Sequence, residues 1–269
     1  METVSVIIPT FNRAILLKRA VISVINQTYP VSEIFICDDG STDNSKELIA
    51  TLDDSRIAWL DCGRSGRPAI PRNTGIRKSS GNWIAMLDDD DEWLPEKISK
   101  ELKALKDSGG LAVCCNAVKR IPGEELKNKY TDFSESSITF DQLIYSNYVI
   151  CSSSVFHRSL LDVCVGFPEE KELKAVEDYV LWLRIATQSD FIFLNEDLLI
   201  YNDFPEQSIR SESFDMFDQR MKIFKNLLSW CSDKKGKVEK RYNDIFMKEY
   251  KLGDKKVNPG IIKKLLRRL

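Results

Sequence analysis

Between residues 4 and 118, short β-branched runs of strand length alternate with apolar residues at helical spacing, and this rhythm constrains the fold more than any other feature of the chain. A helix that follows a strand carries the chain back over the sheet, so repeated alternation predicts βαβ units and a mostly parallel sheet covered by helices. Val4 to Ile8 reads as the first strand, and Leu16, Leu17, Ala20, Val21, Val24 and Ile25 stripe the helix after it. Ile34 to Cys37 is the second strand, and Leu48, Ile49 and Leu52 mark a short helix. Ile57 to Leu60 and Trp83 to Leu87 follow as strands. Pro95 opens a helix carrying Ile98, Leu102 and Leu105, and Leu111 to Val118 is the next strand.

The second half is less regular and predicts a mixed sheet. Thr139 and Gln142 form a capping-box pair ahead of an apolar helix, Ser152 to His157 is expected as a strand, Glu177 to Ser189 as a helix and Phe191 to Tyr201 as a strand. Beyond Arg210 the chain turns helical and lysine-rich. At 269 residues and 43% hydrophobic content it can bury one full core, which predicts a main α/β domain over 1–210 and a helical basic extension over 211–269.

In open α/β sheets ligands bind beyond the carboxyl ends of the strands, and two acidic clusters fall at such ends. Asp38-Asp39-Gly40-Ser41 follows the second strand, and Asp88-Asp89-Asp90-Asp91-Glu92 follows the strand that ends at Leu87. Two bare carboxylates about 4 Å apart repel by roughly 4 kcal/mol at an effective dielectric near 20, so the longer run calls for a compensating charge. A divalent cation held by oxygen ligands, Mn²⁺ or Mg²⁺, fits that need. The alternatives are a solvated acidic loop for Asp88 to Glu92, and a turn with a helix cap for Asp38 and Asp39.

Composition excludes some classes. The 39 basic and 41 acidic residues nearly cancel, which gives no global field for nucleic acid. Seven scattered cysteines with no metal-ligand spacing point to a reducing cytoplasm. The start METVSVIIPT has no signal-peptide pattern, and no apolar run approaches the roughly 18 residues needed to span a bilayer.

Five motifs occur in order: Val4 to Arg13 (VSVIIPTFNR), Gln27-Thr28-Tyr29-Pro30, Asp38 to Asp43 (DDGSTD), Arg72-Asn73-Thr74-Gly75-Ile76, and Leu87 to Pro95 (LDDDDEWLP). Together they resemble the family 2 glycosyltransferases over roughly residues 1 to 210. The resemblance implies a GT-A fold, a Rossmann-like nucleotide-diphospho-sugar transferase fold, with a nucleotide-binding half at 1–118 and an acceptor-side half at 119–210. It implies inversion at the anomeric carbon and a nucleoside diphosphate sugar donor, often a UDP-sugar. By the same resemblance Pro9, Thr10, Phe11 and Asn12 wall the base, Phe11 offering a stacking face, and Asp39 bonds the base. Arg72 lies near the nucleotide, where its fork can bind a phosphate, an exposed helix arginine being the alternative. Asp88 and Asp89 belong to the nucleotide site, with Asp88 toward the ribose, and Asp90 is the metal ligand. Asp91 is a candidate anchor behind them.

Further along, Ala175 to Arg184 (AVEDYVLWLR) resembles the family's glutamate-aspartate helix start. An inverting displacement needs a base opposite the leaving group, and the resemblance implies that the aspartate of this pair, Asp178, is that catalytic base. The plain alternative is that Glu177 and Asp178 only favour a helix N-terminus. The chain departs from the family after Tyr201: where many relatives have a histidine near the metal, it reads Asn202-Asp203-Phe204-Pro205. The cation is then left to Asp90, phosphate and water, with Asp203 as a further candidate. His157, the single histidine, reads as structural or exposed.

Residues 251–269 carry seven Lys or Arg against one Asp, a net of +6, and within 258–269 the apolar residues from Ile261 to Leu269 fall on one helical face. That pattern suits an anionic membrane surface, and equally a helix packed on protein with its charges in water. Membrane contact would place a cytoplasmic enzyme at the inner face, with a lipid-linked glycan acceptor of bacterial surface polysaccharide assembly. A nucleotidyltransferase would show a glycine-rich phosphate loop, which VSVIIPTFNRA lacks, whereas a non-catalytic nucleotide-sugar or glycan-binding module of the same fold stays open. Donor sugar, acceptor and linkage rest on pocket shape within 120–175.

Overall fold

The structure, a computed structural model, describes residues 2–121, 128–202, 216–231, 236–241 and 243–244. The chain separates into two compact units, Met1–Phe214 and Asp215–Leu269.

In the first unit the described strands are β1 (Val4–Thr10), β2 (Glu33–Asp38), β3 (Ile57–Asp61), β4 (Trp83–Met86), β5 (Glu92–Trp93), β6 (Ala112–Arg120), β7 (Asn128–Lys129), β8 (Ser137–Ile138), β9 (Val155–His157) and β10 (Phe191–Asn202). They form one sheet in the order β3-β2-β1-β4-β9-β6-β10-β5, with β7 on β6 and β8 on β10. β1 to β4 run parallel, β9 is antiparallel to both β4 and β6, and β6 is parallel to β10. The carboxyl ends of β1, β2, β4, β6 and β10 therefore share one edge of the sheet. β1 is buried on both faces, as a central strand covered by helices must be, which is why it reads as a continuous apolar run.

The helices are α1 (Ala14–Ile25), α2 (Ser45–Ala50), α3 (Ala69–Lys78), α4 (Lys97–Ser108), α5 (Phe140–Leu143), α6 (Leu161–Cys164) and α7 (Glu177–Ala186). α3 has no apolar stripe, and its place is set by close backbone approach instead. A Cβ on Gly75 would come within 2.5 Å of Cys37 Sγ and 2.8 Å of Ile7 Cγ2, so glycine lets the helix lie directly on β1 and β2. α7 carries Trp182, fully buried and met edge-on by Phe156, Phe167 and Phe191.

The capping box at Thr139 forms as expected, but α5 is a single turn. The strand expected from Ser152 begins only at Val155, after a 3-10 turn at Cys151–Ser153. Serine hydroxyls explain the difference: Ser153 donates to the carbonyl of Ile150 and Ser154 to that of Cys151, tightening the backbone into a turn.

In the second unit, α8 (Met216–Trp230) buries Ile223, Phe224 and Leu227 at helical spacing. No helix among the described residues is long and apolar enough to cross a membrane. Residues 251–269 lie outside the described residues.

Candidate active site

The loops after β1 and β2 are locked together by Asn12. Its backbone adopts a left-handed conformation (φ 53°), its side-chain oxygen accepts from the amides of Thr42 (2.7 Å) and Asp43 (3.3 Å), and its own amide donates to Ser41 Oγ (2.9 Å). Asp43 in turn accepts from the Ala14 amide at the start of α1 (3.1 Å), using its other oxygen for Ser45. This lock aims Arg13 at the neighbouring loop after β4. There its guanidinium donates to Asp89 (2.9 Å) and Asp90 (2.8 Å), while Thr10 Oγ1, at the end of β1, donates to Asp89 (2.8 Å). Pro9, buried in β1, pairs in register with Cys37.

The acidic loop is clamped from behind. Ser152 Oγ accepts from the Asp88 amide (3.0 Å) and donates to Asp91 (2.5 Å), and the Asn202 amide donates to the other Asp91 oxygen (2.9 Å). The Asn202 side chain donates to the Asp90 carbonyl. Burial pushes the Asp89 carboxyl up to about 7, with the Asp90 charge adding and Arg13 opposing. Burial also raises Asp90, against Arg13 and with Asp88, and holds Asp91 well above the usual carboxylate range. Two cations, Arg13 and Arg72, face the four carboxylates Asp88 to Asp91. An all-oxygen donor set with surplus negative charge fits Mg²⁺ or Mn²⁺. Among the described residues no group of three or more His, Cys, Asp or Glu side chains could hold a metal ion, so phosphate and water would have to complete the shell of an ion at Asp90.

Arg72 is 5% exposed, so the exposed-arginine alternative does not hold. From α3 its guanidinium donates to Asp88 (2.6 Å) and to Glu177 (2.8 Å), with its face 5.2 Å from the Phe167 ring. Both terminal nitrogens serve carboxylates, and through them the start of α7 is drawn to the acidic loop. Burial raises the Glu177 carboxyl, with Arg72 opposing. Asp178 is half-buried beside it and accepts from the Tyr179 amide (2.7 Å). Burial holds the Cys151 thiol well above its ordinary value, and the charges of Arg72, Asp88, Asp178 and Glu177 all reach it. Through Arg72, the start of α7 that carries Asp178 meets the loop that carries Asp88, 90 positions earlier in the sequence.

On the base side, Asp39 is buried and fully engaged. One oxygen accepts from Ser65 through both amide and hydroxyl, and the other from the Gly66 amide (2.8 Å) and the Arg64 guanidinium. Arg64 also stacks on Phe11, 3.7 Å from the ring centroid. The aromatic face and the carboxylate expected to hold a base are both covered by one half-exposed arginine. His157 stands at the opposite edge of the sheet, paired with Trp83 at the start of β4 and bonded to Ser159. Asp203 and Phe204 lie outside the described residues. The seven cysteines are free.

The order and geometry of these parts have counterparts among known proteins. The glycosyl transferase family 2 profile matches residues 5–164, more than half of the chain. The chain belongs to glycosyltransferase family 2. A curated relative of this family 2 transferase is the UDP-Glc:alpha-D-GlcNAc-diphosphoundecaprenol beta-1,3-glucosyltransferase WfgD of Escherichia coli, 29% identical over 192 residues, covering 71% of this chain and 73% of the relative. Among solved structures, S. aureus TarS 1-349 in complex with UDP-GlcNAc superposes with a TM-score of 0.73 at 18% identity, over 91% of this chain and 71% of TarS. A mannosyltransferase from Pyrobaculum calidifontis, in complex with GDP-Man and Mn²⁺, superposes with a TM-score of 0.64 at 19% identity, over 90% of this chain and 69% of the other. These likenesses establish the GT-A fold.

Four parts of the site escaped the sequence. Arg13 could have been found from its place one turn past β1, next to β4 in such a sheet. Arg64, Ser152 and Asn202 carry no signal of spacing, because only the folded chain brings them to their carboxylates.

Proposed function

We propose that this family 2 transferase moves a sugar, with inversion, from a UDP-sugar to a hydroxyl of a lipid-linked glycan acceptor in bacterial surface polysaccharide assembly. The observation that carries this reading is the convergence of the acidic loop Asp88 to Asp91 and the Glu177-Asp178 helix start, joined by Arg72. The acceptor class draws support from the diphosphoundecaprenol substrate in the name of the Escherichia coli relative, and the donor class from that name and from the UDP-GlcNAc complex of TarS.

The base of the donor lies against Phe11, with Pro9, Thr10 and Asn12 framing it and Asp39 accepting its N–H once Arg64 has moved aside. Asp88 and Asp89 address the ribose and diphosphate, and Arg72 keeps Asp88 in place. Asp90 would hold Mn²⁺ or Mg²⁺, with the Mn²⁺ complex of the archaeal mannosyltransferase as support. When bound, such an ion neutralises charge that grows on the departing diphosphate. Asp178 takes the proton from the acceptor hydroxyl as its oxygen attacks the anomeric carbon from the face opposite UDP. The new glycosidic bond forms as the bond to the diphosphate breaks.

Residues 1–118 serve the nucleotide and 119–210 the acceptor, while 211–269 form the basic extension, whose segment 258–269 contacts the inner face of the membrane. The direct test is Asp178→Asn. Turnover of UDP-sugar with a lipid-linked acceptor should fall by about 10² to 10⁴ with UDP affinity unchanged. Wild-type turnover in the variant would remove Asp178 from the mechanism.

A further inference from the structure

Asn73 follows Arg72 on α3, in the motif Arg72-Asn73-Thr74-Gly75-Ile76, and is 5% exposed. Its side-chain hydrogen bonds all leave its own helix. The Oδ1 atom accepts from the Phe167 amide (2.9 Å), while Nδ2 donates to the Phe167 carbonyl (2.8 Å) and to Glu169 (2.8 Å). Both N–H groups of the side chain are therefore spent, and the backbone of a residue 94 positions away is gripped at donor and acceptor together.

The chain is pressed onto this side chain. Val165, a β-branched residue, is held left-handed at φ 63°, and Gly166 follows at φ 88°. A Cβ on Gly166 would come within 2.7 Å of Asn73 Oδ1, so glycine permits the approach. Backbone strain of the kind at Val165 persists where surrounding contacts hold it, and the grip of Asn73 is such a contact. The Arg67 guanidinium adds a bond to the Glu169 carbonyl.

Phe167 carries the grip toward the reacting side. Its buried ring lies 5.2 Å from the Arg72 guanidinium and meets Trp182 of α7 edge-on at 5.9 Å. Arg72 in turn bonds Glu177 at the start of the same helix (2.8 Å). The chain from Glu169 to Glu177 is short and braced: Leu173 is buried, its amide donates to the Glu170 carbonyl (3.1 Å), and the Val176 amide donates to the Leu173 carbonyl (3.1 Å). A shift of Phe167 would thus reach α7 through the Trp182 contact, through the Arg72–Glu177 pair and along the backbone.

We propose that Asn73 is a positioning residue for the catalytic base: by fixing Phe167 against Arg72 and Trp182, it sets where the start of α7 presents Asp178. The assignment rests on the transferase reading, in which Asp178 is the base, and adds a residue that acts on it from α3. A space-filling role would be met by any side chain of the same shape. Aspartate has that shape and lacks the N–H groups, so it separates the two roles.

The test is amide hydrogen exchange of the full chain together with turnover of UDP-sugar and lipid-linked acceptor. In Asn73→Ala the α7 amides from Val180 to Leu183 should exchange about tenfold faster, while those of β1 and β4 stay at the wild-type rate and show that the fold is kept. The kcat should fall by about 10 to 10², with UDP affinity within about twofold of wild type. Asn73→Asp should behave like Asn73→Ala. Phe167→Leu keeps the backbone grip, loses the ring, and should loosen α7 likewise. Asn73→Ala/Phe167→Leu should be little worse than the more affected single variant, because both changes cut one connection. The proposal is overturned by α7 exchange at the wild-type rate in Asn73→Ala, by full rescue with aspartate, by strict additivity in the double variant, or by wild-type kcat in Asn73→Ala where Asp178→Asn is impaired. A loosened α7 in Asn73→Ala beside wild-type turnover of Asp178→Asn would count against the base assignment and leave the linkage from Asn73 to α7 standing.

Discussion

Replacing Arg72 by methionine keeps the length and much of the volume of the side chain and removes its charge. In the folded protein that charge lies between Glu177 and Asp88, whose side chains are 5% and 30% exposed. Water can compensate Asp88 in part, but not Glu177, which would be left as a buried carboxylate without a cation. Removing one partner of a buried pair costs about 3–5 kcal/mol. For a unit of this size that corresponds to a fall in Tm of about 6–20 °C. The cost belongs to the stranded carboxylate and not to the arginine alone, so Arg72→Met/Glu177→Leu should recover at least about 1 kcal/mol of the loss. Urea unfolding of wild type, both single variants and the double variant, followed by tryptophan fluorescence, measures the coupling. An Arg72→Met loss below about 1 kcal/mol, or strict additivity in the cycle, would refute the idea that Arg72 joins α3, the acidic loop and α7 into one unit.

Two further outcomes follow from particular residues. Arg64 covers Phe11 and Asp39, and its stacking and half-exposed ion pair together contribute about 1 kcal/mol, so Arg64→Ala should tighten UDP binding about fivefold; weaker binding would show that Arg64 clamps the base instead of competing with it. Burial pushes the Glu101 carboxyl up to about 7 although Lys97 Nζ lies 2.7 Å away. An acid raised in the folded state keeps its proton where the unfolded chain has released it, so its contribution is fullest below about 4.5 and falls, by at most about 1.4 kcal/mol per pH unit, as pH rises to about 7. The stability of wild type relative to Glu101→Gln, taken from urea unfolding at pH 5 and pH 7.5, should therefore decline with pH, and a difference that does not change with pH would contradict this.

Much of the fold was legible because parallel strands buried on both faces read as uninterrupted apolar runs. Val4 to Ile8, Ile34 to Cys37 and Trp83 to Leu87 all stand within a residue or two of their observed bounds. α3 was not legible: it lies on the sheet through Gly75, and a glycine contact leaves no periodic stripe. The Ser152 region misled because its serines bond locally, a competition that composition does not reveal.

At the site, the carboxylates were legible from their position after strands. Their partners were not. Arg13, Arg64 and Arg72 each find an acid through the third dimension, and an arginine in sequence gives no sign of whether it will be exposed or, like Arg72, buried between two carboxylates. The commitment of Asp39 to the segment 64–66 likewise appears only when β2 and the loop after β3 are seen side by side.

The most direct test of the donor site is calorimetric titration of the full chain with UDP, with and without Mn²⁺, on wild type and on Asp90→Asn. A donor site completed by a cation at Asp90 requires that Mn²⁺ strengthen UDP binding to the wild type and that this increment disappear in Asp90→Asn. UDP binding that is indifferent to Mn²⁺ in both proteins, or absent from the wild type under either condition, would contradict it.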